Sequence, residues 1–302
     1  MLRRIFRSIG RTATASAEGA TPPASADGAA SPALAEGVTP AAAAERPADA
    51  RDRRLAAAHA GVSIDLHRRI QFDGLTVAGL EFRGLVDECL RDSSTVVGEL
   101  KAFHRYQAAL ILARYFAHTL DVPGERAECG VFSGFGSLLM CRLMRARSPG
   151  FDGTGFHLVD SFEGLSSPST QDAVELREKP GRGTVAVLGY GKGGFAAPIE
   201  YARAAMREFP GARIHKGWIP EVLAALPDAP FAFVHVDVDL YEPTRACLEH
   251  FYPRLAGGGV IVCDDYGAPR FPGAARAWDD YCDRRGIPYV VLDTGQSIIL
   301  RE

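Results

Sequence analysis

No apolar run in the 302-residue chain approaches the roughly 18–20 residues that cross a bilayer, which argues against an integral membrane protein. Charge of one sign is lacking too. Thirty-four Lys and Arg stand against 37 Asp and Glu, a net of −3, so no basic face draws the chain toward nucleic-acid phosphates. Cysteine is sparse and has no C-x-x-C pair. Cys89, Cys129, Cys141, Cys247, Cys263 and Cys282 sit mostly in apolar runs, as buried thiols of a reducing, cytoplasmic compartment rather than a disulfide or zinc framework. There is no internal repeat. Residues 11–50 have no aromatic and only Leu34 and Val38 as larger aliphatics, against 16 alanines. Such a segment cannot bury enough surface to offset its ordering entropy, and reads as a disordered tail or linker. Ahead of it, Leu2, Ile5, Phe6 and Ile9 share one helical face, with Arg3, Arg4 and Arg7 elsewhere. A weak membrane-surface anchor, an organelle-targeting start and a frayed terminus all fit this stretch; it is too short for a secretory signal.

What is present is ordinary globular composition, 47% hydrophobic and 24% charged. The organisation read from it is a tail over 1–55, a helical region over 56–126 on the substrate side, and an α/β domain over 127–302. Residues 94–120 carry apolar side chains at helical spacing (Leu100, Phe103, Ala108, Leu110, Ile111, Tyr115), stopped by Pro123-Gly124. Strands and helices then alternate. Strands are expected over 127–132, 155–161, 212–215, 231–237 and 259–263. Helices are expected over 137–146, 199–208, 220–226, 242–254 and 273–285. That alternation predicts a mainly parallel sheet covered by helices on both faces. Two last strands, 289–292 and 297–300, are separated by only Asp293-Thr-Gly-Gln296, too short for a crossover. They should pair as an antiparallel hairpin at the sheet edge. Residues 166–194 read as a long loop, a lid or a segment without function.

The first expected strand runs into Glu128-Cys-Gly130-Val-Phe-Ser133-Gly134-Phe-Gly136. Strand, glycines and helix in that order let a ligand approach backbone at a helix N-terminus. The dinucleotide pattern G-x-G-x-x-G fails in both registers, on Phe132 or on Leu139, which opposes a nicotinamide oxidoreductase. Glu128 either organises the loop or meets a ligand ammonium; a plain turn needing glycine is the alternative. Asp160 ends the second strand, where an acid is placed to accept both hydroxyls of a ribose. Gly217 and Trp218 end the third, with a close approach and a stacking face for an adenine; Trp218 fits core packing equally.

The run Glu128–Gly134 resembles the cofactor loop of class I S-adenosylmethionine (SAM) methyltransferases, above all metal-dependent O-methyltransferases of the caffeoyl-CoA and catechol type. With Asp160-Ser-Phe-Glu-Gly-Leu165, Lys216-Gly-Trp-Ile-Pro-Glu-Val-Leu223, His235-Val-Asp-Val-Asp-Leu-Tyr-Glu-Pro-Thr244 and the run Pro253–Gly267, the chain is similar to the macrocin O-methyltransferase (TylF-type) family over about residues 100–302. The resemblance implies a Rossmann-like class I fold with a seven-stranded sheet. It also implies SAM as cofactor, near Glu128, Gly130, Ser133, Gly134, Asp160, Ser161, Gly217, Trp218 and Asp237.

Four acids, Asp237, Asp239, Asp264 and Asp265, follow the fourth and fifth strands. Neighbouring parallel strands lie about 4.8 Å apart, so these tips converge. Carboxylates meeting there repel unless a cation sits between them, and carboxylate with water suits Mg²⁺ better than zinc. Helix capping is the alternative, above all for Asp239. The resemblance assigns metal binding to Asp237, Asp264 and Asp265; catechol-type enzymes carry Asn at the place of Asp265. A hydroxyl held by Mg²⁺ loses its proton more easily. Of the two candidate bases Asp239 is favoured over His235, which fits a hydrogen-bonded core residue. The expected activity is methyl transfer to a hydroxyl of a sugar, polyol or glycosylated metabolite. A catechol-type acceptor or a non-catalytic SAM-binding protein are the alternatives, and a homo-oligomer is expected.

Overall fold

The run Phe231–Val236 is buried at every position, as a strand covered on both faces must be. It lies in the middle of a seven-stranded sheet. The computed structural model describes residues 72, 74–95, 99–176, 185–188 and 191–302. The expected tail over 1–55, its basic start and the junction at residue 55 lie outside these.

In chain order come a hairpin of β1 (Thr76–Val77) and β2 (Leu80–Glu81), then helices α1 (Phe82–Asp92) and α2 (Glu99–His118). Next are β3 (Glu125–Cys129), α3 (Phe135–Arg147), β4 (Phe156–Asp160) and a small hairpin of β5 (Ala173–Leu176) and β6 (Val185–Leu188). There follow α4 (Ile199–Ala205), β7 (Arg213–Lys216), β8 (Phe231–Val236), α5 (Tyr241–Phe251), β9 (Leu255–Cys263), α6 (Pro272–Arg285), β10 (Val290–Val291) and β11 (Ser297–Leu300). The sheet order is β10-β11-β9-β8-β3-β4-β7. Strands β9, β8, β3, β4 and β7 are parallel, and β11 and β10 close the sheet antiparallel, as the short link between them requires. The strand order reverses between β3 and β8, which opens a crevice at their C-terminal ends.

The pleat divides the core. Leu158, Phe233 and Val262 face α1 to α4, whereas their neighbours Val159, Val234 and Cys263 face α5 and α6. Helix α2 packs against α1, α3, β1 and β9. Its fully buried apolar residues are Ala109, Leu112, Ala113 and Phe116, with Leu110, Ile111 and Tyr115 half-buried around them. A helix covered on several sides has no single apolar stripe, so the spacing seen in the sequence marked its existence but not its inward face. All six cysteines are free and buried. No described helix is long and apolar enough to cross a membrane.

Three local features depart from expectation. The β1–β2 hairpin was not foreseen, whereas helix α1 falls in the region expected to be helical. Its N-cap is Glu81, whose carboxylate accepts from the backbone N–H of Arg83 (3.1 Å) and Gly84 (2.6 Å), a role seldom taken by glutamate. The expected helix start at Ser94 is instead a turn at φ +54°, held by a Ser93 Oγ···Thr95 Oγ1 bond of 2.7 Å. The expected loop over 166–194 carries a 3₁₀ turn at Thr170–Asp172 and the β5–β6 hairpin.

That turn anchors the insert. Asp172, 4% exposed, accepts from the Tyr241 N–H (2.7 Å) at the start of α5, and from the N–H and hydroxyl of Ser169. Asp172→Ala would orphan these donors. We expect a loss of about 1–3 kcal/mol in urea unfolding, and an unchanged midpoint would show that the anchor is dispensable. At the far end of the sheet, His157 Nε2 lies 3.0 Å from Glu125 Oε2 and its Nδ1 lies 3.0 Å from His215 Nε2. Burial, outweighing Glu125, holds His157 below the usual histidine range; burial and the neighbouring His157 lower His215. A histidine depressed in the folded state binds fewer protons than in the unfolded chain. Its stabilisation is therefore complete above about pH 6.5 and is lost as pH falls below that. Unfolding midpoints should drop between pH 7.5 and 5.5, and His215→Gln, which keeps a donor for His157, should flatten that drop.

Candidate active site

At the C-terminal ends of β3, β4, β7, β8 and β9 lies a cavity of 710 Å³. Its walls come from the turn after β3, the tips of β4, β8 and β9, the start of α2, and the segment around Phe195. Glu128, Gly130, Ser133, Asp160, Ser161, Gly217, Trp218, Asp237, Asp239, Asp264 and Asp265, all expected from sequence, line this one cavity. Gly134 does not: a Cβ there would meet Ala202 and Ala205 of α4, and its φ of +93° opens α3.

The turn is shaped by close approach. Gly130 has φ +87°, and a Cβ there would overlap the carbonyl oxygen of Asp237. A Cβ on Gly136 would overlap the Glu128 carboxylate. Glu128, 2% exposed, accepts from the Ser137 hydroxyl and pairs with His235 Nδ1 at 3.0 Å. Its carboxylate is thus engaged beneath the turn, in keeping with the loop-organising alternative. Burial works against a charge on His235, but Asp264 and Glu128 outweigh it and hold the imidazole well above its ordinary range. Its Nε2 lies 4.0 Å from Asp264 Oδ1 and makes no hydrogen bond.

Asp160 is also more engaged than its sequence position suggested. Oδ2 accepts from the N–H groups of Val131 (2.7 Å) and Phe132 (3.0 Å), and Oδ1 from Phe162 N–H (2.6 Å). Ser161 bonds within its own turn, to Gly164 O and Glu163 N. Ser133 Oγ lies 2.6 Å from Thr95 Oγ1, which ties the glycine turn to the segment before α2. Trp218 is half-buried against the cavity rather than in the core, with Lys192 Nζ 6.0 Å from its ring centroid.

The four acids do not cap helices. The N-cap residues of α5 and α6 are Leu240 and Phe271, neither with a side-chain cap from the cluster. Asp239 has φ +61°, and its N–H donates to Asp265 Oδ2 at 2.8 Å. Gln296 Nε2 donates to Asp264 Oδ1 at 3.0 Å. Burial, then Asp265 and Asp264, hold the Asp237 carboxyl well above the usual range; burial and Asp239 do the same for Asp265. Burial and Asp237 push Asp239 up to about 8. Asp264 is the exception: burial raises it, but His235 outweighs that and holds it below the usual value. A cation would relieve this crowding, and the uncommitted oxygens are of the hard type that Mg²⁺ takes. Among the described residues no three His, Cys, Asp or Glu side chains are gathered as a ready-made ligand set. Mg²⁺ needs only one or two carboxylates, with water completing its shell, so the donor set fits in charge and chemistry. Arg105, Gln107, Phe195, Phe271 and Gln296 also line the cavity and were missed, because nothing local marks a helix or loop residue as facing it.

A model of the family described as macrocin-O-methyltransferase (TylF) matches residues 112–296. The 8-demethyl-8-(2,3-dimethoxy-alpha-L-rhamnosyl)-tetracenomycin-C 4′-O-methyltransferase of Streptomyces olivaceus is 32% identical over 170 residues, 55% of this chain and 60% of that protein. The demethyldecarbamoylnovobiocin O-methyltransferase of Streptomyces niveus is 29% identical over 150 residues, 48% of this chain and 54% of that protein. The chain therefore spans just over half the length of these relatives. Among solved structures, the O-methyltransferase NovP has a TM-score of 0.57 at 21% identity, covering 73% of this chain and 99% of its own. The calicheamicin methyltransferase CalS11 has a TM-score of 0.53 at 21% identity, covering 76% and 97%. These two likenesses establish the class I O-methyltransferase fold.

Asp160→Asn would turn one acceptor oxygen into a donor facing a backbone N–H. We expect a loss of about 1–3 kcal/mol in unfolding free energy, read as a melting temperature lower by several degrees. A melting temperature equal to the parent's would mean that Asp160 does not hold the turn.

Proposed function

From the premise that this chain belongs to the macrocin-O-methyltransferase (TylF) family, we propose that it transfers a methyl group from SAM to a hydroxyl of a sugar or glycosylated metabolite, with Mg²⁺ assisting. The observation that carries this reading is the meeting of the glycine turn and four crowded aspartates in one cavity. The relatives from Streptomyces point the same way, since one is named for a rhamnosyl-tetracenomycin and the other for demethyldecarbamoylnovobiocin.

SAM would supply the methyl on a sulfonium, and Mg²⁺ would supply positive charge that makes an acceptor hydroxyl more acidic. The chain's own part is positioning. Gly130, with no Cβ, leaves the backbone open beside Asp237. Asp160 fixes the turn and offers its remaining lone-pair capacity to a ribose. Gly217 and Trp218 border the adenine side, and one or two carboxylates from among Asp237, Asp264 and Asp265, with water, would hold the metal. We assign the acceptor proton to an Asp239 carboxylate oxygen. Asp239 lines the cavity beside the other acids, whereas His235 is turned to Glu128, which its Nδ1 meets at 3.0 Å.

Methyl transfer should be tested with SAM against a rhamnosylated aromatic polyketide and the corresponding free sugar. Excess EDTA should abolish turnover and leave S-adenosylhomocysteine binding intact by calorimetry. Asp264→Asn removes one charge at constant shape and should slow turnover at least about tenfold, about 1.4 kcal/mol or more in the barrier, with added Mg²⁺ restoring part of it. Full turnover in EDTA would sink the metal role and leave Asp239 acting without it.

A further inference from the structure

Nearly all the ionisable side chains that line the cavity are acids. Glu128, Asp160, Asp237, Asp239, Asp264 and Asp265 line it. Its histidine, His235, is already engaged by Glu128 and Asp264. The amino-acid end of SAM, however, is a zwitterion. Its ammonium finds acids on every side, but its carboxylate needs a cation or strong donors in a place where further negative charge is repelled.

Among the described lining residues, Arg105 is the single Lys or Arg. It stands on α2, itself exposed, with Ala108, Ala109 and Leu112, three, four and seven positions on, lining the same cavity. Its guanidinium carbon lies 5.7 Å from the ring centroid of Phe135, the first residue of α3 and the direct continuation of the glycine turn. Its charge acts on both Asp237 and Asp264, yet no carboxylate among the described residues holds it in an ion pair. The Thr95–Ser133 bond and the packing of α2 on α3 fix this helix against the turn. Two positions on, Gln107 is 7% exposed, lines the cavity and has no hydrogen-bond partner among the described residues.

We propose that Arg105 binds the carboxylate of the methionine moiety of SAM, with Gln107 as a second donor. The inference rests on the SAM reading above and adds to it a residue outside the stretch 112–296 that the family model matches. A guanidinium matches a carboxylate in shape, with two parallel N–H bonds.

The test compares two ligands by calorimetry in EDTA, without acceptor. S-adenosylhomocysteine carries the amino-acid end, whereas 5′-methylthioadenosine has the same nucleoside and no amino acid. Arg105→Ala should weaken S-adenosylhomocysteine by about tenfold to a hundredfold, the range of a charge-assisted contact, and leave 5′-methylthioadenosine unchanged. Arg105→Lys, which keeps the charge without the fork, should fall between. Thermal melting checks the fold, and Arg105→Gln takes the place of the alanine variant if that loses its transition. Undiminished S-adenosylhomocysteine binding by the variant would overturn the assignment, as would equal losses for both ligands, which would mean that Arg105 only shapes the turn. A parent protein that binds neither ligand would instead overturn the SAM reading itself, before any variant is compared.

Discussion

A glutamate on a central parallel strand is an uncompensated charge unless something meets it, and here the partner stands one strand away. Glu128 on β3 and His235 on β8 are paired in register, so their side chains share a face of the sheet. Their 3.0 Å contact is buried, and removing either partner would strand the other's charge in a low-dielectric interior. The pair also spreads outward. Ser137 ties Glu128 to the first turn of α3, and Asp264 lies within ion-pair distance of His235. The glycine turn above Glu128, the crevice at the strand reversal and the acid cluster beyond it are thus held to one point.

The acid cluster is costly by construction. Asp237 and Asp265 are held above the ordinary carboxylate range by burial and by each other's neighbours, and Asp239 sits in a left-handed backbone conformation that a non-glycine residue adopts at a cost of about 1–3 kcal/mol. Such strain persists where surrounding structure over-determines it. Here the Asp239 N–H is fixed by Asp265, and the start of α5 two residues on is capped from outside the cluster by Asp172. Because a distant acid caps that helix, the local acids stay free for the cavity.

Helix α2, besides packing in the core, and the insert after β4 supply walls of the cavity. Helix α2 brings Arg105 and Gln107, and the insert brings Phe195, to a cavity whose floor is the sheet edge. The floor follows from strand tips that any parallel sheet of this order brings together. The walls are where acceptor preference and the cofactor's amino-acid end would be decided.

Much of the floor was legible in the sequence. Alternating apolar strands and amphipathic helices dictated a parallel sheet, because only that arrangement buries strands such as Phe231–Val236 on both faces. A four-residue link dictated the antiparallel closing hairpin, because no crossover fits into it. Acids and glycines directly after strands had to gather at one end of the sheet, because parallel strands all finish there. Tertiary structure alone decided what those side chains touch. Asp160 meets N–H groups 28 and 29 residues away, Glu128 meets His235 across 107 residues, and Asp172 reaches α5 across 69. Spacing along a chain encodes which face a residue occupies within its own element. It does not encode which residue of another element will stand within 3 Å once the helices have packed, and that is where charge, strain and the lining of the cavity were settled.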